Sequence, residues 1–293
     1  MANSMLCHSY FQAGDQAKAD ESFRAVLRDA PLNLKTNTIR FGIDQRVRPL
    51  GISCRILWLL GRPEQAVASA HRLLEFAREL HDPIPIVMAS YQAVILASWI
   101  GNWSWASEVA ALMKKIATEH TIQPFPDLAD SFAADVLFRT SNAQSSLHAL
   151  ETSFERVRLS GYDPTYHAIG LIEALTIVGR YADAKYRIDE RVTYMQQNGQ
   201  LVLFPEYLRL EAGILVAKGE AGAEQIYLRA IDLARAQSAL AWELRATLGL
   251  AQLYRNQDPE RARQTLMPVY SRFTEGLDTA DLLSAKSFLS GLG

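Results

Sequence analysis

The sequence predicts an all-α protein: a row of about seven helical hairpins, with one more helix at the C-terminus. The first observation is a recurring turn, at which one apolar helical run ends and another begins. The turn glycines are Gly14, Gly61, Gly101, Gly179 and Gly219, at intervals of 47, 40, 78 and 40 residues. The second is that no segment shows the alternating pattern of a β-strand. Because one hairpin cannot bury its own apolar face, each pair is expected to pack on the next and to leave a curved groove.

The third observation is a small residue placed five positions after four of these turns. These residues are Ala19, Ala66, Ala106 and Ala184. An alanine there lets the two helices of a pair approach closely. In residues 6–31 the pattern is fullest, with Leu6, Cys7, Tyr10, Gly14, Ala19, Phe23, Val26 and Pro31 at tetratricopeptide-type spacing. The step near 40 residues also falls in the HEAT and armadillo range, but the alanines favour a tetratricopeptide-like right-handed superhelix.

Each element can be placed along the chain from these signals. Pro63 suits the first turn of a second helix, where its missing N–H costs nothing. Two turns lack glycine, at 140–142 and 257–259, and 32–46 is expected to be a loop or a short extra turn. Asp278 can cap a final helix with an apolar stripe of Leu282, Ala285, Leu289 and Leu292. The hairpins are expected at 6–31, 47–80, 86–119, 127–160, 165–197, 205–238 and 241–273.

Bulk composition excludes several classes of function. Hydrophobic residues make up 49% and charged residues 21%, which is a globular composition. A net charge of -2 leaves no basic excess for direct nucleic-acid binding. The two cysteines are expected to be reduced and buried, and the most apolar runs are shorter than the roughly 20 residues that span a bilayer. We expect a cytoplasmic protein that does not contact a membrane.

Catalytic and metal-binding signatures are not found in the sequence. The six histidines are scattered over different hairpins, and there is no H-E-x-x-H, G-x-S-x-G or G-x-x-x-x-G-K-[ST] motif. Gly219 to Gly222 resembles half of a phosphate loop, but no strand precedes it. We therefore expect no enzyme activity, no catalytic residue, no metal and no cofactor.

Two stretches go beyond a generic repeat. RFGIDQRVR (40–48) precedes WLLGRPEQA (58–66), and PVYSRFTEGLDTADL occupies 268–282. Together they resemble the C-terminal tetratricopeptide-like repeat region of large bacterial signal-transduction ATPase regulators, which carry a winged-helix or cyclase domain. The resemblance implies that residues 1–293 are one repeat domain cut from a longer protein. The helix pattern that begins near Met1 suits such a fragment.

A candidate binding surface lies on the first helix of each pair, which lines the groove in such solenoids. Aromatic rings interleaved with arginines suit a planar or sugar-like ligand, or an acidic peptide. The same aromatics could instead pack between repeats, and the arginines could form salt bridges or face solvent. Both interpretations stay open. The residues expected at the groove are Arg55, Trp58, Tyr91, Trp99, Phe132, Arg139, Tyr166, Glu173, Arg209, Arg245 and Arg255.

The function expected from the resemblance is sensing or partner binding. A partner segment or a small effector would bind in the groove and alter contacts with an attached ATPase or output domain. The alternative is a free-standing scaffold for protein–protein interaction. In either case the chain is expected to be a monomer or a weak dimer.

Overall fold

The structure is a computed structural model that describes residues 2–29, 39–40, 43–44, 46–141 and 144–292. In this part of the chain, fifteen helices pack in sequence as antiparallel pairs, with the last helix unpaired. The all-α prediction is therefore confirmed, and the packing is consistent with a helical repeat. The first eight helices are α1 (Ala2–Ala13), α2 (Gln16–Asp29), α3 (Val47–Leu59), α4 (Pro63–Glu79), α5 (Pro83–Ile100), α6 (Trp103–Glu119), α7 (Phe125–Ser141) and α8 (Gln144–Leu159). The other seven are α9 (Thr165–Ile177), α10 (Tyr181–Asn198), α11 (Phe204–Lys218), α12 (Ala223–Ala236), α13 (Leu240–Tyr254), α14 (Pro259–Tyr270) and α15 (Ala280–Ser290).

The turn between α5 and α6 shows why the chain reverses at the predicted glycines. Gly101 adopts a left-handed conformation with φ of 75°, which an L-residue rarely adopts, and so it ends α5. The next residue, Asn102, caps α6 by accepting a hydrogen bond from the Trp105 amide at 3.1 Å. The four alanines that follow turns, Ala19, Ala66, Ala106 and Ala184, have no exposed surface. The predicted close approach of paired helices is confirmed.

The helices form two layers. Each odd-numbered helix contacts the next odd-numbered one, from α1 to α15, and these helices form the inner layer. Each even-numbered helix packs on its own partner and on the odd-numbered helix that follows. The α5 helix is apolar on all sides, because it lies deep in this arrangement. The prediction that the first helix of each pair faces inwards agrees with this packing.

The two ends of the row also contact each other, which the sequence does not predict. The Leu201 amide, just before α11, donates to the Gln12 carbonyl at 2.6 Å. The Gly276 amide, between α14 and α15, donates to Glu64 at 2.8 Å, and Gln65 bonds both carboxylate oxygens of Glu275. We call these interactions the closure contacts. Because of them, the expectation that each pair packs only on the next pair along is wrong.

The turn glycines of the first three pairs fit tightly against the C-terminal helices. A Cβ at Gly14 would lie 2.7 Å from the Gln237 side chain, and one at Gly61 would lie 2.5 Å from Leu240. At Gly101 it would lie 2.6 Å from the Cβ of Ala280. Carbon atoms do not pack at such distances. These glycines therefore have two roles: they allow the chain to reverse, and they leave space for the C-terminal helices to pack against the turns.

The structure differs from the sequence-based expectations at a short strand pair and at the start of the last helix. Ile39–Arg40 and Ile43–Asp44 form a two-residue antiparallel strand pair, so the expectation of no strand at all is wrong. The N-cap position of the last helix is occupied by Thr279 and not by Asp278, because the chain becomes helical only at Ala280, and the Thr279 side chain makes no capping hydrogen bond. Pro31, expected to stop α2, lies outside the described residues, as do most of the predicted 32–46 loop and Asn142 of the predicted 140–142 turn.

One of the described helices, α5, is long and apolar enough to cross a membrane by length and composition. Of this 18-residue stretch, 67% is buried inside the protein, as is common for core helices. Cys7 and Cys54 are free thiols and buried, as expected, and burial raises the pKa of each to about 12. Neither thiol is therefore suited to nucleophilic chemistry.

Candidate functional site

The inner face of the array brings together ten of the eleven residues proposed for the groove. The ten are Arg55, Trp58, Tyr91, Trp99, Phe132, Arg139, Tyr166, Glu173, Arg209 and Arg245. The exception is Arg255, which is exposed and lies over the Phe288 ring at 5.8 Å. Trp58, Tyr91, Trp99 and Phe132 are buried, so they act in large part as packing residues. Whether the ten also contact a ligand stays a prediction.

Three tryptophans pack together where the first helices of the array meet the last ones. Trp58 of α3, Trp99 of α5 and Trp242 of α13 lie with ring centroids 4.7 to 5.0 Å apart. The guanidinium of Arg245 lies 5.1 Å from the rings of both Trp58 and Trp242. Its Nη2 donates to the Trp99 carbonyl, in the last turn of α5, at 2.6 Å. Arg245 of α13 thus contacts α3 through the ring face of Trp58 and α5 through the carbonyl of Trp99.

A ladder of charged side chains crosses five inner helices. Arg139, Glu173, Arg209, Arg245 and Asp281 occupy equivalent positions 34 or 36 residues apart, on α7, α9, α11, α13 and α15. Arg139 bonds Glu173, and Arg209 bonds the other oxygen of Glu173 at 2.6 Å. The ladder continues through Glu206, which accepts from Arg209 at 2.8 Å and from Arg245 at 3.0 Å, and Arg245 then bonds Asp281 at 2.9 Å. These arginines are neutralised within the protein.

Burial and the neighbouring arginines act in opposite directions on the pKa of Glu173, Asp281 and Asp135. Burial by itself would raise the pKa of Glu173, but Arg139 and Arg209 lower it to about 2. At Asp281 burial prevails over Arg245, and the pKa is raised. Burial likewise raises the pKa of Asp135, which pairs with Arg139 at 3.1 Å. Glu173, which pairs with both Arg139 and Arg209, is therefore held as an anion.

The ladder lines a cavity of about 370 Å³, which we call the central cavity. Its apolar walls include Trp99, Trp103, Phe132 and Tyr166. Asp135, Arg139, Glu173, Arg209, Arg245 and Asp281 supply its charges. Its volume is at the lower end of the range of small-molecule sites. A ligand there would meet paired charges and would have to compete with existing ion pairs.

A second cavity, of about 320 Å³, lies between α1, α3, α5 and α9, and we call it the Arg55 cavity. Arg55 projects from the middle of α3 and is only 4% exposed. Its guanidinium is stacked between the rings of Phe11, at 4.6 Å, and Tyr166, at 5.0 Å. Its Nε and Nη1 have no hydrogen-bond partner among the described residues. This arginine differs from those of the ladder, each of which has a carboxylate partner.

Several residues that line the cavities were not anticipated from the sequence. Asp135 lies one turn before Arg139, and Asp281 follows the spacing of the ladder, so periodicity could have identified both. His8, Gln92 and Tyr162 line the Arg55 cavity, and no local motif marks them. In the described part of the chain, no group of three or more histidines, cysteines or acidic residues could hold a metal ion.

Comparison with known proteins adds no assignment to this geometry. No protein-family model matches the chain, and a search of curated proteins finds no match either.

Proposed function

We propose that this chain is the non-enzymatic sensing module of a bacterial transcriptional or signalling regulator, and that its array is a tetratricopeptide-like right-handed superhelix. Its partner is then the attached ATPase or output domain, and its compartment the cytoplasm. The resemblance of 40–66 and 268–282 to such regulators supports this proposal. Within it, the effector is a small molecule held inside the array. A peptide laid along an open groove is the disfavoured alternative.

The closure contacts are the observation that carries this choice. They connect α1 and α4 to the segments before α11 and α15, and they leave two cavities of about 370 and 320 Å³ inside. Volumes of a few hundred Å³ suit a small molecule. An extended peptide needs a continuous exposed surface, and four of the groove aromatics are buried.

The same contacts provide a means of signalling. A ligand shifts a conformational equilibrium only if it binds one arrangement better than the other. The central cavity is lined both by α5 and by α13 and α15, so a ligand there contacts both ends of the array. Binding would favour the closed arrangement, and an attached domain that senses closure would respond.

Hydrogen exchange combined with a ligand screen tests this function. Sugars, nucleotides, amino acids, small organic acids and acidic peptides are screened by thermal melting, because a ligand that binds only the folded chain stabilises it. We expect a small molecule to raise the melting temperature and to slow exchange of the Gly276 amide, which bonds Glu64. Stabilisation by acidic peptides alone, or ATP hydrolysis by the purified chain, would contradict the proposal.

A further inference from the structure

Arg55 carries a buried charge that no carboxylate among the described residues neutralises. It is 4% exposed, and no carboxylate of the described residues lies within 4.0 Å of it. Arg191 is similarly buried, at 8% exposed, but its charge is paired with the carboxylate of Glu190, which lies 3.0 Å from its guanidinium. A buried cation without a counter-ion is costly, so an anion that entered the cavity and paired with Arg55 would remove part of that cost.

The rings that stack on Arg55 compensate only part of this cost. Phe11 and Tyr166 present their faces to the guanidinium at 4.6 and 5.0 Å. The attraction of a ring face for a cation is weak compared with that of a full negative charge at a similar distance. Contact with two rings restricts the movement of the guanidinium. Its N–H groups are then available to an anion in the cavity with little loss of side-chain freedom.

Polar atoms without partners gather in this cavity. Of eleven such buried side-chain atoms in the described residues, five belong to residues that line it: Arg55 Nε and Nη1, His8 Nδ1, Gln92 Oε1 and Tyr166 Oη. Native proteins leave few buried polar atoms unpaired. Their concentration around one cavity marks a binding surface rather than random packing defects.

The charge around the cavity favours an anion. Arg48, which is exposed, lines it together with Arg55, so the cavity reaches the surface beside a second cation. Burial, with help from Arg48 and Arg55, lowers the pKa of His8. The acidic residue in the lining, Asp163, has one carboxylate oxygen, Oδ1, engaged by its neighbours. It accepts hydrogen bonds from the amide and hydroxyl of Thr165 at 3.0 and 2.6 Å, with Arg191 at 3.8 Å.

We propose that the Arg55 cavity binds a small organic carboxylate with a flat apolar body. The carboxylate pairs with the Arg55 guanidinium and accepts a hydrogen bond from Tyr166 Oη. The flat body lies among Tyr91, Tyr162 and Met88, which line the same cavity. A single buried cation matches the one negative charge of a carboxylate better than the two charges of a phosphate. This inference rests on the proposed function, since it names the chemical class of the effector.

Thermal melting and calorimetry of the full chain test the inference. The probes are benzoate, phenylacetate and 3-phenylpropionate, each compared with its primary amide, and inorganic phosphate. We expect at least one carboxylate to raise the melting temperature in a saturable manner, while its amide and phosphate do not. Equal shifts for acid and amide, or a shift with phosphate alone, would overturn the inference.

Variants connect the shift to this cavity. Arg55→Met should abolish the shift, and the unliganded variant should melt at or above the parent temperature, since an unpaired buried charge has gone. Arg255→Met removes an exposed arginine and should keep the shift. Tyr166→Phe should weaken carboxylate binding at least about threefold. If Arg55→Met does not fold, an unchanged affinity of Tyr166→Phe overturns the inference, as does a retained shift in Arg55→Met.

Failure of this inference can be distinguished from failure of the proposed function. If a carboxylate binds but exchange at the Gly276 amide is unchanged, the carboxylate site stands and sensing by closure is wrong. If a neutral molecule slows that exchange while no carboxylate binds, the inference is wrong and the sensing function stands.

Discussion

Replacing two equivalent glycines with alanine measures how strongly the ends of the array contact each other. Gly101 and Gly219 each end the first helix of a pair, with φ of 75° and 67°. Both are left-handed, so either alanine costs roughly 1–2 kcal/mol in backbone strain. The surroundings differ. A Cβ at Gly101 would lie 2.6 Å from the Cβ of Ala280, whereas among the described residues nothing lies within 4 Å of one at Gly219.

The additional cost at Gly101 follows from this contact. Carbon atoms pack at about 3.5–4.0 Å, so the two Cβ atoms must separate by about 1 Å. The Cβ of Ala280 is attached directly to the α15 backbone and cannot rotate away, so the helix itself must move. Overpacking of this kind costs about 1–3 kcal/mol. Gly101→Ala should therefore lose about 2–5 kcal/mol of unfolding free energy, against about 1–2 kcal/mol for Gly219→Ala.

Urea unfolding followed by circular dichroism gives both values. The double variant Gly101→Ala, Ala280→Gly is a further check, because removal of the opposing methyl should recover most of the additional loss. Equal losses in the two single variants, or no recovery in the double variant, would show that α15 does not pack against this turn.

Three further predictions concern stability. Ala66→Leu should overpack the α3–α4 pair and lower the free energy of unfolding in urea by about 1–3 kcal/mol. Ala68→Leu, at an exposed position of α4, should leave it unchanged. Equal effects of the two substitutions would mean that the predicted helix register is wrong. Burial lowers the pKa of His167 to about 3, so the unfolded chain binds its proton more tightly and stability falls as pH drops from about 6.5 towards 3. At pH 4.5 this loss is about 2–3 kcal/mol. Melting curves should show less acid destabilisation for His167→Phe than for the parent, whereas His148→Phe, at an exposed position, should respond to acid as the parent does. An acid response of His167→Phe equal to that of the parent would contradict the neutral buried imidazole. Arg245→Met should cost about 3–5 kcal/mol, because two carboxylates lose a partner and α5 loses its bond; a melting temperature equal to that of the parent would contradict a structural ladder.

The pairs of helices could be predicted because their signals are local. A glycine such as Gly101 and an alanine such as Ala106 lie within one hairpin, and each constrains its own turn or its own helix contact. The same holds for Pro63, which occupies the first position of α4 as expected. The error at Asp278 is local too, because α15 begins at Ala280, one residue later than a helix capped by Asp278 would.

Closure could not be predicted from the sequence, because it joins residues about 200 positions apart that share no motif. Glu64 and Gly276 are unremarkable in their own segments. Whether they meet depends on small rotations between successive pairs, which add up along the whole row. An open groove and a closed interior are therefore compatible with the same repeat pattern.

The sequence could place the candidate residues on the first helices of the pairs but not their charge pairing, and their role as a binding site stays a prediction. Repeat-equivalent positions on the first helices correctly brought Arg139, Glu173 and Arg209 to one surface. The link from Arg209 to Arg245 runs through Glu206, which the groove pattern did not select. The opposite holds for Arg55, whose lack of a partner depends on what α1, α5 and α9 supply around it. Charge balance within a cavity is a property of the assembled helices.

Cross-linking across the closure contacts tests the central claim most directly. Gln65 and Glu275 lie 210 residues apart in the chain, and their side chains bond at 2.9 Å. With both changed to cysteine, a short bismaleimide reagent should join them within one folded molecule, and digestion should yield the linked peptides from α4 and from the segment between α14 and α15. Ready labelling of both cysteines without a link inside the monomer would contradict the closed array.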